Sequence, residues 1–169
     1  MREVRDVIGP DLAILFVGFN PGARSAITGH HFAGHSNRFW KLLAAAGLTP
    51  RQFRPEEDGD LLTLGLGITN IVARPTRAAA EITAEEYRLG REDLRRKLAR
   101  WQPRIACYAG IGVYREFAGL REVACGRQPQ SVVPGIVDFV VPSPSGLNRI
   151  TFQEQLAYYW ELRRLMAGE

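Results

Sequence analysis

The chain predicts an α/β fold, a three-layer α/β/α sandwich around a mainly parallel central sheet. Three observations carry that expectation. Apolar runs without polar alternation, LAILFV at 12–17 and IACYA at 105–109, read as strands buried on both faces, as parallel strands are. Segments of helical period lie between such runs. Two of these helices open on a Thr followed three residues later by a Glu, Thr83/Glu86 and Thr151/Glu154, which is the capping-box pattern. No repeat, linker or low-complexity tract interrupts the 169 residues, so a single domain over 1–169 is expected.

The elements follow in order. The strand at 12–17 ends in Gly18-Phe19-Asn20-Pro21-Gly22, and a polar loop bearing Gly and His runs on to Ser36. Phe39, Trp40, Leu42, Leu43 and Ala46 recur at helical spacing, and Gly47 stops that helix. A short second helix is expected over 55–64 and an extended segment over 66–72, leading into Arg74-Pro75-Thr76. The Thr83/Glu86 box opens a long helix to about Trp101, which Pro103 breaks before the strand at 105–109. A helix near 113–117 follows, and 131–133 with 136–141 flank Pro134-Gly135 as a hairpin. The last helix runs from the Thr151/Glu154 box to about Met166. Sites in open α/β sheets gather at the carboxyl ends of the strands, so the loops after Val17, Val72, Ala109 and Val141 should share one edge.

Composition narrows the class. Hydrophobic residues make up 46% and charged residues 24%, as in an ordinary globular domain, and no run nears the roughly 18 apolar residues that span a bilayer. The charged N-terminus lacks a secretory signal's apolar stretch, so a cytosolic address and no membrane partner are expected. The two cysteines, Cys107 and Cys125, have no CxxC spacing; they read as reduced thiols and are too few for a cubane iron–sulfur cluster. The net charge of +4 permits a polyanionic partner without requiring one. The only lysines are Lys41 and Lys97, so the positive charge is almost all Arg, which suits bidentate phosphate contacts.

The loops carry the chemistry. Asn-Pro-Gly alone is a common turn sequence, yet Gly18 and Gly22 would also let backbone approach a ligand closely around Asn20. The loop is neither GxGxxG nor a GK[ST] P-loop. All three histidines, His30, His31 and His35, fall within six residues, but their spacing fits neither HExxH nor a Cys/His zinc module, and no metal or other cofactor is expected.

Five ordered blocks give the strongest signal: Gly-x-Asn-Pro-Gly, Gly-His-His-Phe, Asn-Arg-Phe-Trp-Lys, Thr-Asn-Ile-Val-x-Arg-Pro-Thr and Pro-Ser-Gly-Leu-x-Arg. From about Leu12 to Leu165 the chain resembles the mismatch-specific uracil-DNA and thymine-DNA glycosylases, family 2 of the uracil-DNA glycosylase superfamily. The resemblance implies that superfamily's fold and a cofactor-free, monofunctional monomer with no obligate protein partner. The implied substrate is double-stranded DNA, in which such an enzyme flips a pyrimidine out of a mismatch with guanine and hydrolyses its N-glycosidic bond.

By the same resemblance Asn20 holds the hydrolytic water and Thr76 helps to place it. Phe32 stacks on the flipped base, with an ordinary core phenylalanine as its alternative. Backbone N–H groups around Gly22 and Phe32 meet the pyrimidine carbonyls, Asn70 lies near the base edge, and Ser25 lies near pyrimidine C5. His31 belongs to the run lining the base pocket. Leu147 is the wedge that fills the vacated stack, with a leucine tucked into the core as its alternative, while Gly146 and Arg149 face the widowed guanine.

Two positions depart from the pattern. Ala73 stands where relatives often carry an acid, and Ser143 where some carry Asn. The Gly29-His30-His31 run resembles the thymine-accepting branch and Ser145-Gly146-Leu147 the uracil-specific bacterial branch; uracil opposite guanine is the expected substrate, with thymine or other modified pyrimidines secondary. The rival readings are a lesion-binding module that does not cleave and a nucleotide-binding α/β protein.

Overall fold

The computed structural model describes residues 3–169. Five strands, β1 (Ile14–Gly18), β2 (Leu66–Asn70), β3 (Ile105–Ala109), β4 (Gly126–Arg127) and β5 (Val137–Val141), form one sheet in the order β2-β1-β3-β5-β4. All neighbours pair in parallel except β4 with β5. The helices are α1 (Ala23–Thr28), α2 (Phe39–Ala45), α3 (Ala84–Trp101), α4 (Ile111–Ala118) and α5 (Phe152–Met166), with 3-10 turns at Pro55–Leu64 and Ala79–Glu81.

The layers follow from the strand period of two. Ile14, Phe16, Cys107 and Phe139 face one way and pack with Phe39 and Leu43 of α2 and Leu156, Tyr159 and Leu162 of α5. Leu15, Val17, Ala106, Tyr108 and Val140 face the other way, against Leu94 and Leu98 of α3 and Val113 and Phe117 of α4. This is the three-layer α/β architecture the buried runs predict. Both Thr boxes cap their helices. Thr83 and Glu86 exchange backbone and side-chain hydrogen bonds in both directions, at 3.1 and 3.2 Å. At α5 the exchange is one-sided, because the Glu154 carboxylate takes the Thr151 hydroxyl proton instead of the Thr151 N–H.

Three expectations are corrected. The polar loop to Ser36 contains α1, which its glycines and polar residues mask. The helix over 55–64 is a 3-10 helix. The Pro134-Gly135 hairpin is absent: β5 takes Gly126–Arg127 as its antiparallel partner, while the Val132 N–H donates to the buried Asp138 carboxylate at 3.0 Å. That bond draws 131–133 away from the ladder.

The β1→β2 connection moves to one side of β1 and the β2→β3 connection crosses back to its other side, so the strand order reverses and a crevice opens at the carboxyl ends beside β1. The N-terminal segment covers the outer edge of β2 through an antiparallel bridge between Val7 and Ile68.

Candidate active site

A cleft of about 460 Å³ lies at that edge, lined among others by Asn20, Ser25, Phe32, Asn70, Thr76 and Leu147. The loops after β1, β2, β3 and β5 all contribute to it, as the sheet rule predicts. Of the residues singled out by sequence, Gly22 and His31 also line it, whereas Gly146 and Arg149 stand exposed on the loop that carries Leu147. A larger, more apolar cleft of about 680 Å³ lies between that loop and α5 and contains none of the groups expected to carry chemistry.

Asn20 is held from two sides. Its Nδ2 donates to the Arg74 carbonyl and to Thr76 Oγ1, each at 2.8 Å. A carbonyl acceptor decides which end of the amide points inward, so Oδ1 is the end left unpartnered. Thr76 donates its own hydroxyl proton to the Ala78 carbonyl at 2.8 Å, so its proton is committed and its oxygen serves Asn20. The frame behind the amide is backbone: the N–H groups of Ile71, Val72 and Thr76 donate to the carbonyls of Gly18, Phe19 and Pro21. Arg74 is fixed in turn by a two-pronged ion pair with Glu86, at 2.7 and 3.0 Å. The Arg74 guanidinium holds the Glu86 carboxyl at about 2, well below the usual carboxylate range.

Among the described residues Phe32 is one of three non-glycine residues with positive φ, at +50°. Its ring stacks on Phe39, with centroids 4.0 Å apart and planes 20° apart. Phe32 also lines the cleft, so it is not wholly a core side chain. Asn70 makes no side-chain hydrogen bond among the described residues, and its Oδ1 lies so near Gly18 that a Cβ there would approach it to 2.7 Å. Only glycine at 18 leaves that amide in place.

Ser25 and His31 are both buried. Ser25 Oγ accepts the Ala33 N–H at 3.2 Å, so its oxygen shapes the Phe32 loop as well as lining the cleft. His31 Nε2 donates to the Arg5 carbonyl at 2.7 Å, and desolvation by burial lowers its pKa. The Asp58 carboxylate accepts the His31 N–H at 3.0 Å and pairs with His30 Nδ1 at 3.2 Å. Among the described residues no group of three or more His, Cys, Asp and Glu side chains converges as a metal site. Both cysteines are free; Cys107 is fully buried, and burial raises both thiol pKa values.

Leu147 is 92% exposed, the most exposed large apolar side chain among those described, so it is not tucked into the core. Its loop is nonetheless ordered by its own polar atoms. Ser145 Oγ accepts the Leu147 N–H, Asn148 Nδ2 and Gln155 Nε2 donate to the Ser143 carbonyl, and Asn148 Oδ1 accepts the Ile150 N–H. From α2's edge the Arg38 N–H donates to the Pro144 carbonyl, and its guanidinium reaches the Ile150 carbonyl and Gln155 Oε1, both at 2.9 Å. Asp58 and Gln155 are residues that sequence reasoning missed, and Arg38 stood within the Asn-Arg-Phe-Trp-Lys block without a role; their bonds reach residues distant in sequence, or backbone, so no local pattern announces what they hold.

A profile of the uracil DNA glycosylase superfamily matches residues 6–166. The chain belongs to the uracil DNA glycosylase superfamily. Its architecture is similar to the solution NMR structure of a Methanosarcina acetivorans protein that carries a provisional uracil DNA glycosylase assignment, with a TM-score of 0.65, 20% identity and 98% of each chain covered. At that identity the likeness speaks for the fold. Membership of the superfamily supports a glycosylase that hydrolyses N-glycosyl bonds in DNA.

Proposed function

We propose that this uracil DNA glycosylase superfamily protein removes uracil from mismatches with guanine in double-stranded DNA and leaves an abasic site, as a monofunctional enzyme of the mismatch-specific family. One observation carries the reading. Asn20, at the mouth of the β1 loop, has both amide protons tied inside the protein and presents Oδ1. A water that donates to this oxygen keeps a lone pair for the anomeric carbon. An amide cannot take the proton as a carboxylate would, so Asn20 orients and polarises, and turnover is slow. Ala73 adds no carboxylate, in keeping with that rate.

The departing pyrimidine carries negative charge, which donors aimed at its carbonyls stabilise. The Phe32 N–H is such a donor: it has no partner among the described residues, while the N–H groups on either side of it are taken by Asp58 and Ser25. The Gly22 N–H and the Asn70 amide serve the same base, Ser25 and His31 close its pocket, and Thr76 places Asn20. Leu147 enters the stack as the base leaves, with Gly146 and Arg149 toward the widowed guanine. Arg24 and Arg77 at the cleft and Arg149 beside the wedge form no ion pair among the described residues and are suited to phosphates.

Neither lysine lines the cleft: Lys97 is paired with Asp6 and Asp93, and Lys41 lies over the Phe152 ring. No side-chain amine is in place for a Schiff base, which favours a monofunctional enzyme. A cytosolic, nucleoid-associated setting goes with this reading.

The test is a set of labelled duplexes carrying one G·U, G·T, A·U or matched pair, treated with alkali after incubation, with Asn20→Ala alongside. Breakage at G·U, absent in the variant, is expected. Tight binding without breakage would make the protein a lesion reader instead.

A further inference from the structure

Phe32 holds a left-handed backbone conformation without being glycine, and such a conformation persists only where its surroundings over-determine it. The surroundings are visible one peptide unit at a time. The unit joining His30 to His31 is held at its N–H by Asp58 Oδ2, at 3.0 Å. The unit joining His31 to Phe32 is held at its carbonyl by the indole Nε1–H of Trp40, at 3.2 Å. The unit joining Phe32 to Ala33 is held at its N–H by Ser25 Oγ, at 3.2 Å.

The middle unit matters most. In a trans peptide the C=O and the N–H point in opposite directions. Trp40 draws the His31 oxygen toward α2, so the Phe32 N–H is turned the other way, away from the indole. That N–H is the one in the 31–33 run without a partner among the described residues. Asp58 fixes the preceding unit and is itself buried, on a different element. Two side chains on separate elements therefore set the direction of a single donor that is unpaired among the described residues.

We propose that Trp40 and Asp58 are positioning residues for base recognition, which aim the Phe32 N–H at a pyrimidine carbonyl without touching the base. The inference rests on the function proposed above. Trp40→Phe keeps a ring against Phe39 and Phe53 and removes only the indole donor. Asp58→Asn keeps the shape but replaces one acceptor oxygen by a donor.

The experiment measures affinity for four duplexes, each with one of these opposite guanine: uncleavable 2′-fluoro uridine, a 2′-fluoro nucleoside lacking one pyrimidine carbonyl, another lacking the other carbonyl, and an abasic site. Wild-type turnover on G·U and the melting temperature of each variant are recorded alongside. Each variant should weaken uracil binding about tenfold and leave abasic binding within about twofold. The penalty should vanish on the analogue that lacks the partnered carbonyl. Equal weakening on all four duplexes, or no weakening on any, overturns the positioning role. If Trp40→Phe fails to fold, Asp58→Asn decides by the same comparison. A wild-type protein that neither cleaves G·U nor prefers uracil to the abasic site would overturn the proposed function itself, and this inference with it.

Discussion

The Asn20 loop and the Leu147 loop stand on the same edge of the sheet and are both tightly bonded, but they leave opposite kinds of group exposed. Around Asn20 nearly every polar atom is turned inward, to Arg74, Thr76 and the Gly18–Pro21 backbone, and one amide oxygen remains. Around Leu147 the polar atoms of Ser143, Ser145, Asn148, Arg38 and Gln155 satisfy one another, and one apolar side chain remains, 92% exposed. In each case the surrounding bonds hold the exposed group in place before any ligand arrives. The first arrangement can orient a water; the second can replace a lost stacking partner. Preorganisation of both kinds reduces the ordering cost at binding.

The comparison is broken most severely at Asn20. Asn20→Ala should lower the single-turnover rate on G·U by about 10²–10³-fold, the cost typical of losing one preorganised polar group at a reacting centre. Affinity for the mismatched duplex should stay within a few-fold, measured by titration. Wild-type turnover in this variant would place the reacting centre elsewhere.

Leu147→Ala should act on the other side of the ledger. Loss of most of an inserted apolar side chain should weaken abasic-duplex affinity about tenfold and speed product release. The melting temperature should hold, because an exposed side chain contributes little to the folded state. Unchanged abasic affinity would remove the wedge role.

Gly146→Ala sharpens the comparison by disturbing the frame instead of the wedge. A Cβ there would clash with Ser36 Oγ and Cβ and meet the Ser36 carbonyl at 2.9 Å, so the loop and the 34–37 segment must part. About 1 kcal/mol of destabilisation is expected from such overpacking. Abasic affinity should fall by less than in Leu147→Ala, and calorimetry beside the same titration would separate the two.

The smallest effect concerns acid. Glu86 is lowered from its ordinary 4.5 to about 2, chiefly by its hydrogen bonds with Arg74. A carboxyl depressed in the folded state stabilises it at pH above its unfolded value, and that contribution fades as pH falls from about 4.5 through about 2. Glu86→Gln should therefore show a shallower fall in melting temperature across that window than wild type. Glu57, held near 2 by Arg51, remains in both proteins and cancels in the difference. Because the Arg74 carbonyl holds Asn20, a modest loss of turnover near neutral pH should accompany the substitution.

The strands at β1, β3 and β5 and the helices α2, α3 and α5 are legible because their signals are local: apolar runs, helical spacing, and Thr/Glu pairs three residues apart. The partner of β5 is not, since Gly126–Arg127 has no strand character and gains its place from the vacancy beside β5 and from Asp138 holding Val132 elsewhere. α1 was hidden for a related reason, its six residues being too short to show a period. The roles given to Ser25 and Thr76 show the same limit. Both residues could be picked out from motifs, yet only the fold reveals that their hydroxyls hold the Ala33 N–H and the Asn20 amide.

The sequence by itself determined the layer architecture, the edge of the sheet on which the chemistry must lie, and which residue types gather there. Those follow from hydrophobic period and turn chemistry, which act over a few residues. Only the tertiary structure decided which atom of each residue is free: Oδ1 and not Nδ2 of Asn20, the N–H of Phe32 and not those beside it, the whole side chain of Leu147. A hydrogen bond commits an atom to whichever partner the folded chain brings within about 3 Å, and at Asn20 that partner lies 54 residues away.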